Sequence, residues 1–304
     1  MSRIREALKK AAEQRSAQVA SRTAEDLVEI LRGGPLQEAS VSAQVLVEES
    51  APPQRVEGGR TEFDSLVANC RRVQWHVEPR FSFFADERNN RAGAERFRTL
   101  RSRLHQIAAA QPLRRILLTS SAPEEGKTFV ASNLAQSIIR QSDRKVLLID
   151  ADLRASRLHL TLGTHDEPGL SDYLRGITDI TKVIQVGELD NLCFIPGGRE
   201  VSNPSELLHS EKMKSLLDKM TQVFDWIILD SPPAIAVHDA SLLADMCDGV
   251  LFVVRAGATD FELAQRAAAE FQGKKLLGVV LNRVDRAESY GEYYYGYPSA
   301  KETD

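Results

Sequence analysis

Cysteine is scarce. The 304 residues hold three, Cys70, Cys193 and Cys247, far apart along the chain. An odd, scattered set builds neither a disulfide framework nor a metal knot, and fits free thiols in a reducing cytosol. Long apolar runs are missing as well: none approaches the ~20 residues that a membrane-crossing helix needs. The opening Met1-Ser2-Arg3-Ile4-Arg5-Glu6 carries charge with no apolar stretch behind it, so no secretory signal is expected. A net charge of −4 gives no global reason to expect nucleic acid. The balance, 42% hydrophobic and 27% charged, is ordinary globular composition with room for one large α/β domain and extra segments.

The chain is organised around residues 115–139. Ile116, Leu117 and Leu118 form an apolar run that reads as a buried strand. Ser120-Ser121-Ala122-Pro123-Glu124-Glu125-Gly126-Lys127-Thr128 follows, and from Phe129 the pattern is helical. Strand, tight polar loop and helix are the context of a phosphate-binding loop. Backbone N–H groups at the helix start, with the helix dipole, favour an anion. Lys127 is placed to reach the β/γ-phosphates and the Thr128 hydroxyl to bind Mg²⁺, while Ser121, Ala122, Glu124, Glu125, Gly126 and Phe129 complete the expected nucleotide set. Two positions depart from G-x-x-x-x-G-K-[ST]. Ser121 stands at the first glycine, and Glu124 puts a carboxylate where anions should be welcome.

Two further strands carry acid. Residues 145–149 are apolar after Lys145 and end in Asp150 and Asp152. They begin 17 residues after Thr128, enough for a helix and a turn, so a βαβ unit brings both aspartates beside the loop. Residues 226–229 are apolar and end in Asp230, followed by Ser231-Pro232-Pro233; this fits a Walker B strand whose carboxylate serves Mg²⁺. Residues 191–196, 249–254 and 276–281 read as more strands, the last ending in Asn282. A helix is expected from Asn203, as cap, to about Val223, and another over 260–271.

Around this core, residues 1–62 are expected to be a helix and a flexible linker. Arg3, Arg5, Lys9 and Lys10 surround a small alanine-rich face, read as a solvated helix in preference to a membrane-surface anchor. The domain proper is expected over 63–286, with residues 70–85 packing aromatics on it. Residues 92–109 form an amphipathic helix with Phe97, Leu100, Leu104 and Ile107 on one face and Glu95, Arg98 and Arg101 largely on another. That charged ridge is a solvated face, a nucleic-acid patch or a strip pairing with a neighbouring subunit. Residues 287–304 hold five of the six tyrosines, Tyr290, Tyr293, Tyr294, Tyr295 and Tyr297, in a stretch with Gly, Glu and Pro that reads as a solvated tail.

The loop, the Asp150-x-Asp152-x-Arg154 strand, the Asp230-x-Pro-Pro strand and the tyrosine tail, in this order, resemble the bacterial protein-tyrosine kinases of capsule and exopolysaccharide assembly. The first three alone also resemble the deviant-Walker ATPases that partition chromosomes or position division sites. The resemblance implies a mostly parallel sheet with helices on both faces, a P-loop NTPase of deviant-Walker type. It implies a tyrosine autokinase using ATP and Mg²⁺ and phosphorylating the tail in trans within an oligomer, with a ring expected. It implies Lys127, Asp150, Asp152 and Asp230 in catalysis: Asp150 as base or orienter for the incoming tyrosine hydroxyl, and Thr128, Asp152 and Asp230 around Mg²⁺. Asn282 corresponds to a base-contacting position, and Glu95, Arg98 and Arg101 to an oligomerisation motif. A membrane activator of the polysaccharide co-polymerase type and a tyrosine phosphatase are the implied partners, with no nucleic acid. The implied location is cytoplasmic, at the inner face of the cell membrane through that partner. The resembling tyrosine kinases often have Pro-Gly-Glu-Gly-Lys where this chain has Pro123-Glu124-Glu125-Gly126-Lys127, and a side chain at 124 would strain a loop needing positive φ there.

Overall fold

The computed structural model describes residues 58–284, apart from 142, 190, 272 and 275. The expected N-terminal extension up to residue 57 and the tyrosine tail lie outside the described residues. Among the described residues, eight strands form one sheet: β1 (Arg71–Arg72), β2 (Arg115–Ser120), β3 (Val146–Asp150), β4 (Gln185–Val186), β5 (Leu192–Ile195), β6 (Trp226–Asp230), β7 (Gly249–Arg255) and β8 (Leu276–Asn282). Their order is β1-β4-β5-β3-β6-β2-β7-β8. Every pairing is parallel except β4 with β5.

The central strands are apolar throughout because both sheet faces are covered. Side chains alternate between two cores. Ile116, Leu118, Val146, Leu148 and Ile228 belong to one, and Leu117, Leu147, Ile149, Ile227 and Leu229 to the other. Five larger helices matter here: α1 (Gly58–Asn69), α2 (Arg91–Ala110), α3 (Lys127–Ile139), α4 (Glu211–Val223) and α5 (Phe261–Ala269). On the first face lie α2, through Ala94, Phe97 and Leu104, and α3, through Val130, Leu134 and Ile138. On the second lie α1, α4 and α5, through Phe63, Leu217 and Ala267.

The α3 helix is apolar on nearly every side because it is sandwiched between α2 and the sheet; residues 130–138 are all buried. Two of its polar residues, Asn133 and Gln136, bond the aromatic strap at 81–84. Asn133 accepts from the Phe83 N–H and donates to the Phe81 carbonyl, and Ser82 donates to Gln136 at 2.7 Å.

Three local expectations change. The stretch read as linker to residue 62 gives way at Gly58 to α1, which packs Phe63 edge-on against Phe224 at 5.5 Å. The helix expected from 203 to 223 is two, Pro204–Leu208 and α4, because the Ser210 hydroxyl captures the Met213 N–H and starts the second. Asn203 caps nothing with its oxygen; its side chain donates to Glu206 at 2.7 Å instead.

Candidate active site

The phosphate loop connects β2 to α3. Gly126 sits at φ +93°, and a Cβ there would come within 2.0 Å of the Asn282 amide nitrogen, so only glycine fits. That amide donates to the Glu125 carbonyl at 2.8 Å and ties the loop to the end of β8. Glu124 has φ +64°. The left-handed conformation expected to want glycine is real, and a glutamate occupies it.

Glu125 is not turned toward a ligand. Its carboxylate is 3% exposed, accepts the Ala122 N–H at 2.8 Å and the Ser121 hydroxyl at 3.0 Å, and receives the Thr259 hydroxyl from the turn after β7. It is a strut that gives the loop its shape. Ser121, Ala122 and Glu125 consequently stay off the wall of the adjoining cavity, which Glu124, Gly126, Lys127, Thr128, Phe129 and Asn282 line. That cavity holds about 1240 Å³ at the carboxyl edge of the sheet.

Three carboxylates meet beneath it. Asp150 and Asp230 are register partners on neighbouring strands, so they face each other at one level. Asp150 is fully buried. It accepts the Ser156 hydroxyl at 2.8 Å and the N–H groups of Asp152, Arg157 and Leu158 at 3.0–3.1 Å. Burial nevertheless pushes its carboxyl up to about 6, with the charge of Asp152 adding and these hydrogen bonds opposing. Asp230 is pushed up to about 8, first by burial and then by its two acidic neighbours, against the pull of Lys127 and hydrogen bonding from Thr128. Its Oδ1 has no hydrogen-bond partner among the described residues. Asp152 is the member that reaches the cavity, with Oδ2 3.5 Å from Lys127 Nζ.

One lysine among three buried carboxylates leaves an excess of negative charge, and an orphaned oxygen is costly unless something fills it. A hard divalent cation fits that donor set. Among the described residues, no three His, Cys, Asp or Glu side chains make a metal cage by themselves. This suits Mg²⁺, which takes one or two carboxylates and completes its shell with water and phosphate oxygens.

The Asp152 loop is held from behind by groups that no sequence pattern announced. Arg154 pairs with Asp239 at 2.8 Å, and Ser205 bonds both. Asp239 is fully buried at the start of the short helix Asp239–Ala244. These residues are far apart in sequence, and only the fold brings them together.

The ridge on α2 is engaged within the chain. Arg98 pairs with Glu87 and Glu95, and Arg101 donates to the Ser137 carbonyl at 2.6 Å. The five tail tyrosines lie outside the described residues.

A family model described as "AAA domain" matches residues 124–262. The tyrosine-protein kinase YwqD of Bacillus subtilis (strain 168) is 34% identical over 207 residues, which cover 67% of this chain and 86% of that protein. The chain belongs to the bacterial tyrosine-protein kinase family. A second member of that family, the tyrosine-protein kinase ptk of Acinetobacter johnsonii, is 35% identical over 197 residues; these are 64% of this chain and only 27% of that longer protein. The fold follows the same family. The kinase domain of the Escherichia coli tyrosine kinase ETK aligns with a TM-score of 0.60 and 35% identity, covering 67% of this chain and 81% of that one.

Proposed function

We propose that the chain is an ATP- and Mg²⁺-dependent protein-tyrosine autokinase whose acceptors are Tyr290, Tyr293, Tyr294, Tyr295 and Tyr297. The observation that carries this is the meeting of Lys127, on a phosphate loop, and Asp152 at one cavity wall, above the buried Asp230 whose Oδ1 has no hydrogen-bond partner among the described residues. Family membership makes tyrosine the acceptor.

The N–H groups at the start of α3 and the Lys127 ammonium bind the β- and γ-phosphates. Thr128, Asp152 and Asp230 hold Mg²⁺, which when bound neutralises charge developing on the phosphates. Asn282 and Arg283, on the cavity wall beside the loop, adjoin the nucleotide's base. Asp150, fully buried and off the cavity wall, orients Asp152 in place of the tyrosine hydroxyl expected for it: its carboxylate gathers the backbone of residues 152–158. Asp152, facing the cavity, takes the proton of the entering tyrosine hydroxyl as its oxygen attacks the γ-phosphorus and ADP leaves. Such a transfer needs positioning and charge neutralisation more than a strong base.

The tail of one subunit enters the site of a neighbour in a homo-oligomer, for which a ring is the reading carried over from the family. Glu95, Arg98 and Arg101 remain the proposed contact ridge, their internal pairs exchanging for intersubunit ones. A membrane polysaccharide co-polymerase-type protein is the proposed activator, holding the kinase at the inner face of the membrane. A tyrosine phosphatase resets it, and exopolysaccharide or capsule export is the regulated process.

Intact-mass spectrometry after incubation with ATP and Mg²⁺ tests the reading. Gains in phosphate steps are expected, absent in Lys127→Met and in a chain with all five tail tyrosines changed to Phe. Steady ATP hydrolysis with no mass gain would instead identify a switch ATPase of the partitioning type.

A further inference from the structure

The cavity is larger than a nucleotide's phosphates need, and its charge opposes that of the whole chain. Among the described residues, six arginines besides Lys127 line it, against Glu124 and Asp152, although the chain carries −4 overall. Two of the six are spent, Arg80 on Glu78 and Arg154 on Asp239. Arg96, Arg103, Arg157 and Arg283 have no carboxylate partner among the described residues.

Arg96 and Arg103 lie seven residues apart on α2, two helical turns and so about 10 Å along one face, with Leu100 between them. All three line the cavity. The wall beside them is aromatic: Phe83, Phe97 and Phe129 pack ring to ring at 5.3–6.2 Å, and Phe83 and Phe129 stay partly exposed. Guanidinium groups without a carboxylate partner among the described residues, beside a partly open aromatic wall, suit a phosphate carried on an aromatic ring.

The last described residue, Val284, also lines this cavity. Twenty residues follow it, with five acidic side chains against two basic ones and all five tail tyrosines. Twenty residues reach up to about 70 Å when extended, and tethering at the rim puts the segment at an effective concentration on the order of millimolar.

We propose that the Arg96–Leu100–Arg103 face of α2 is a docking site for phosphotyrosine on residues 285–304 of the same chain. Each phosphate adds about −1.5 to −2 charge. A modified tail would therefore settle on its own chain's arginines, in competition with a neighbour's tail. This deepens the kinase reading by giving that site a self-limiting step, and it rests on that reading only for the source of the phosphate.

The test uses synthetic peptides of residues 285–304, unmodified or phosphorylated at Tyr294, so it runs whether or not the chain is a kinase. Binding is measured to the full-length Lys127→Met chain, whose phosphate loop lacks its cation. The phosphopeptide should bind at least tenfold more tightly. Adding Arg96→Ala and Arg103→Ala should erase that preference, since charge-assisted contacts to phosphate are worth about tenfold or more each. Both arginines are exposed, so their loss should leave folding intact, and Arg96→Lys with Arg103→Lys should restore part of the preference. Equal binding of the two peptides, or a preference indifferent to the arginines, would overturn the site. So would displacement of the phosphopeptide by a single-stranded oligonucleotide of higher affinity. A full-length chain carrying the phosphopeptide by ligation should bind free phosphopeptide at least tenfold more weakly than the unmodified chain; undiminished binding would overturn docking on the same chain.

Discussion

Glu124 offers a test of the loop's backbone that separates conformation from charge. An L-residue in the left-handed region costs roughly 1–2 kcal/mol, and Glu124 sits there at φ +64°. Glycine removes that cost but loses about 0.5–1 kcal/mol through the freedom it adds to the unfolded chain. Glu124→Gly should therefore stabilise by up to about 1 kcal/mol, or about 2–4 °C in Tm for a domain of this size. Glu124→Ala keeps the strain and gains nothing, so the Gly variant should melt above the Ala variant. Both remove an exposed carboxylate from the cavity wall and should bind ATP several-fold more tightly, as should Glu124→Gln. Differential scanning calorimetry and nucleotide titration read the two effects separately. An Ala variant as stable as the Gly variant would refute the backbone argument. Unchanged affinity in all three would refute the electrostatic one.

Asp150 and Asp230 bind protons more tightly folded than unfolded, since their carboxyls are raised to about 6 and about 8. The metal-free protein should lose stability as pH rises from about 4 to 8 and level off above, because the folded state holds the extra protons in that window; urea melts across pH check this. Asp230→Asn should flatten the upper part of that profile and stabilise the metal-free protein at pH 8, while abolishing phosphoryl transfer. Arg154→Ala leaves the fully buried Asp239 with Ser205 as its remaining side-chain partner among the described residues and should cost about 2–4 kcal/mol in denaturant unfolding. Leu104→Ala, at 1% exposure between α2 and the sheet, should cost about 2–5 kcal/mol in the same assay without changing nucleotide affinity.

The central strands were legible because parallel strands buried on both faces must be apolar runs, and residues 116–118, 146–149 and 227–229 are unbroken ones. The phosphate loop was legible because Gly126, Lys127 and Thr128 stand between such a run and a helix. The positive φ at 124 could be anticipated from a glycine expected there. What stayed hidden depends on distance in sequence. Nothing in residues 152–158 signals that Arg154 will pair with Asp239, 85 positions away, or that Asp150 will gather that loop's N–H groups. The two-residue strands β1 and β4 are too short to carry a period of their own. The inward turn of the Glu125 carboxylate depends on Thr259, supplied by the turn after β7. The break at Ser210 was readable in principle, since serine is a preferred cap, but the helical pattern on either side of it masked the boundary.

The most direct test of the account mixes two inactive chains. Lys127→Met keeps its tyrosines but lacks the phosphate-loop cation; the chain with five tail tyrosines changed to Phe keeps the site but lacks acceptors. Incubated together with ATP and Mg²⁺, the Lys127→Met chain alone should gain mass in phosphate steps, because an intact site on one chain reaches tyrosines on another. No gain on either chain, while the unaltered protein phosphorylates itself under the same conditions, would contradict transfer between subunits.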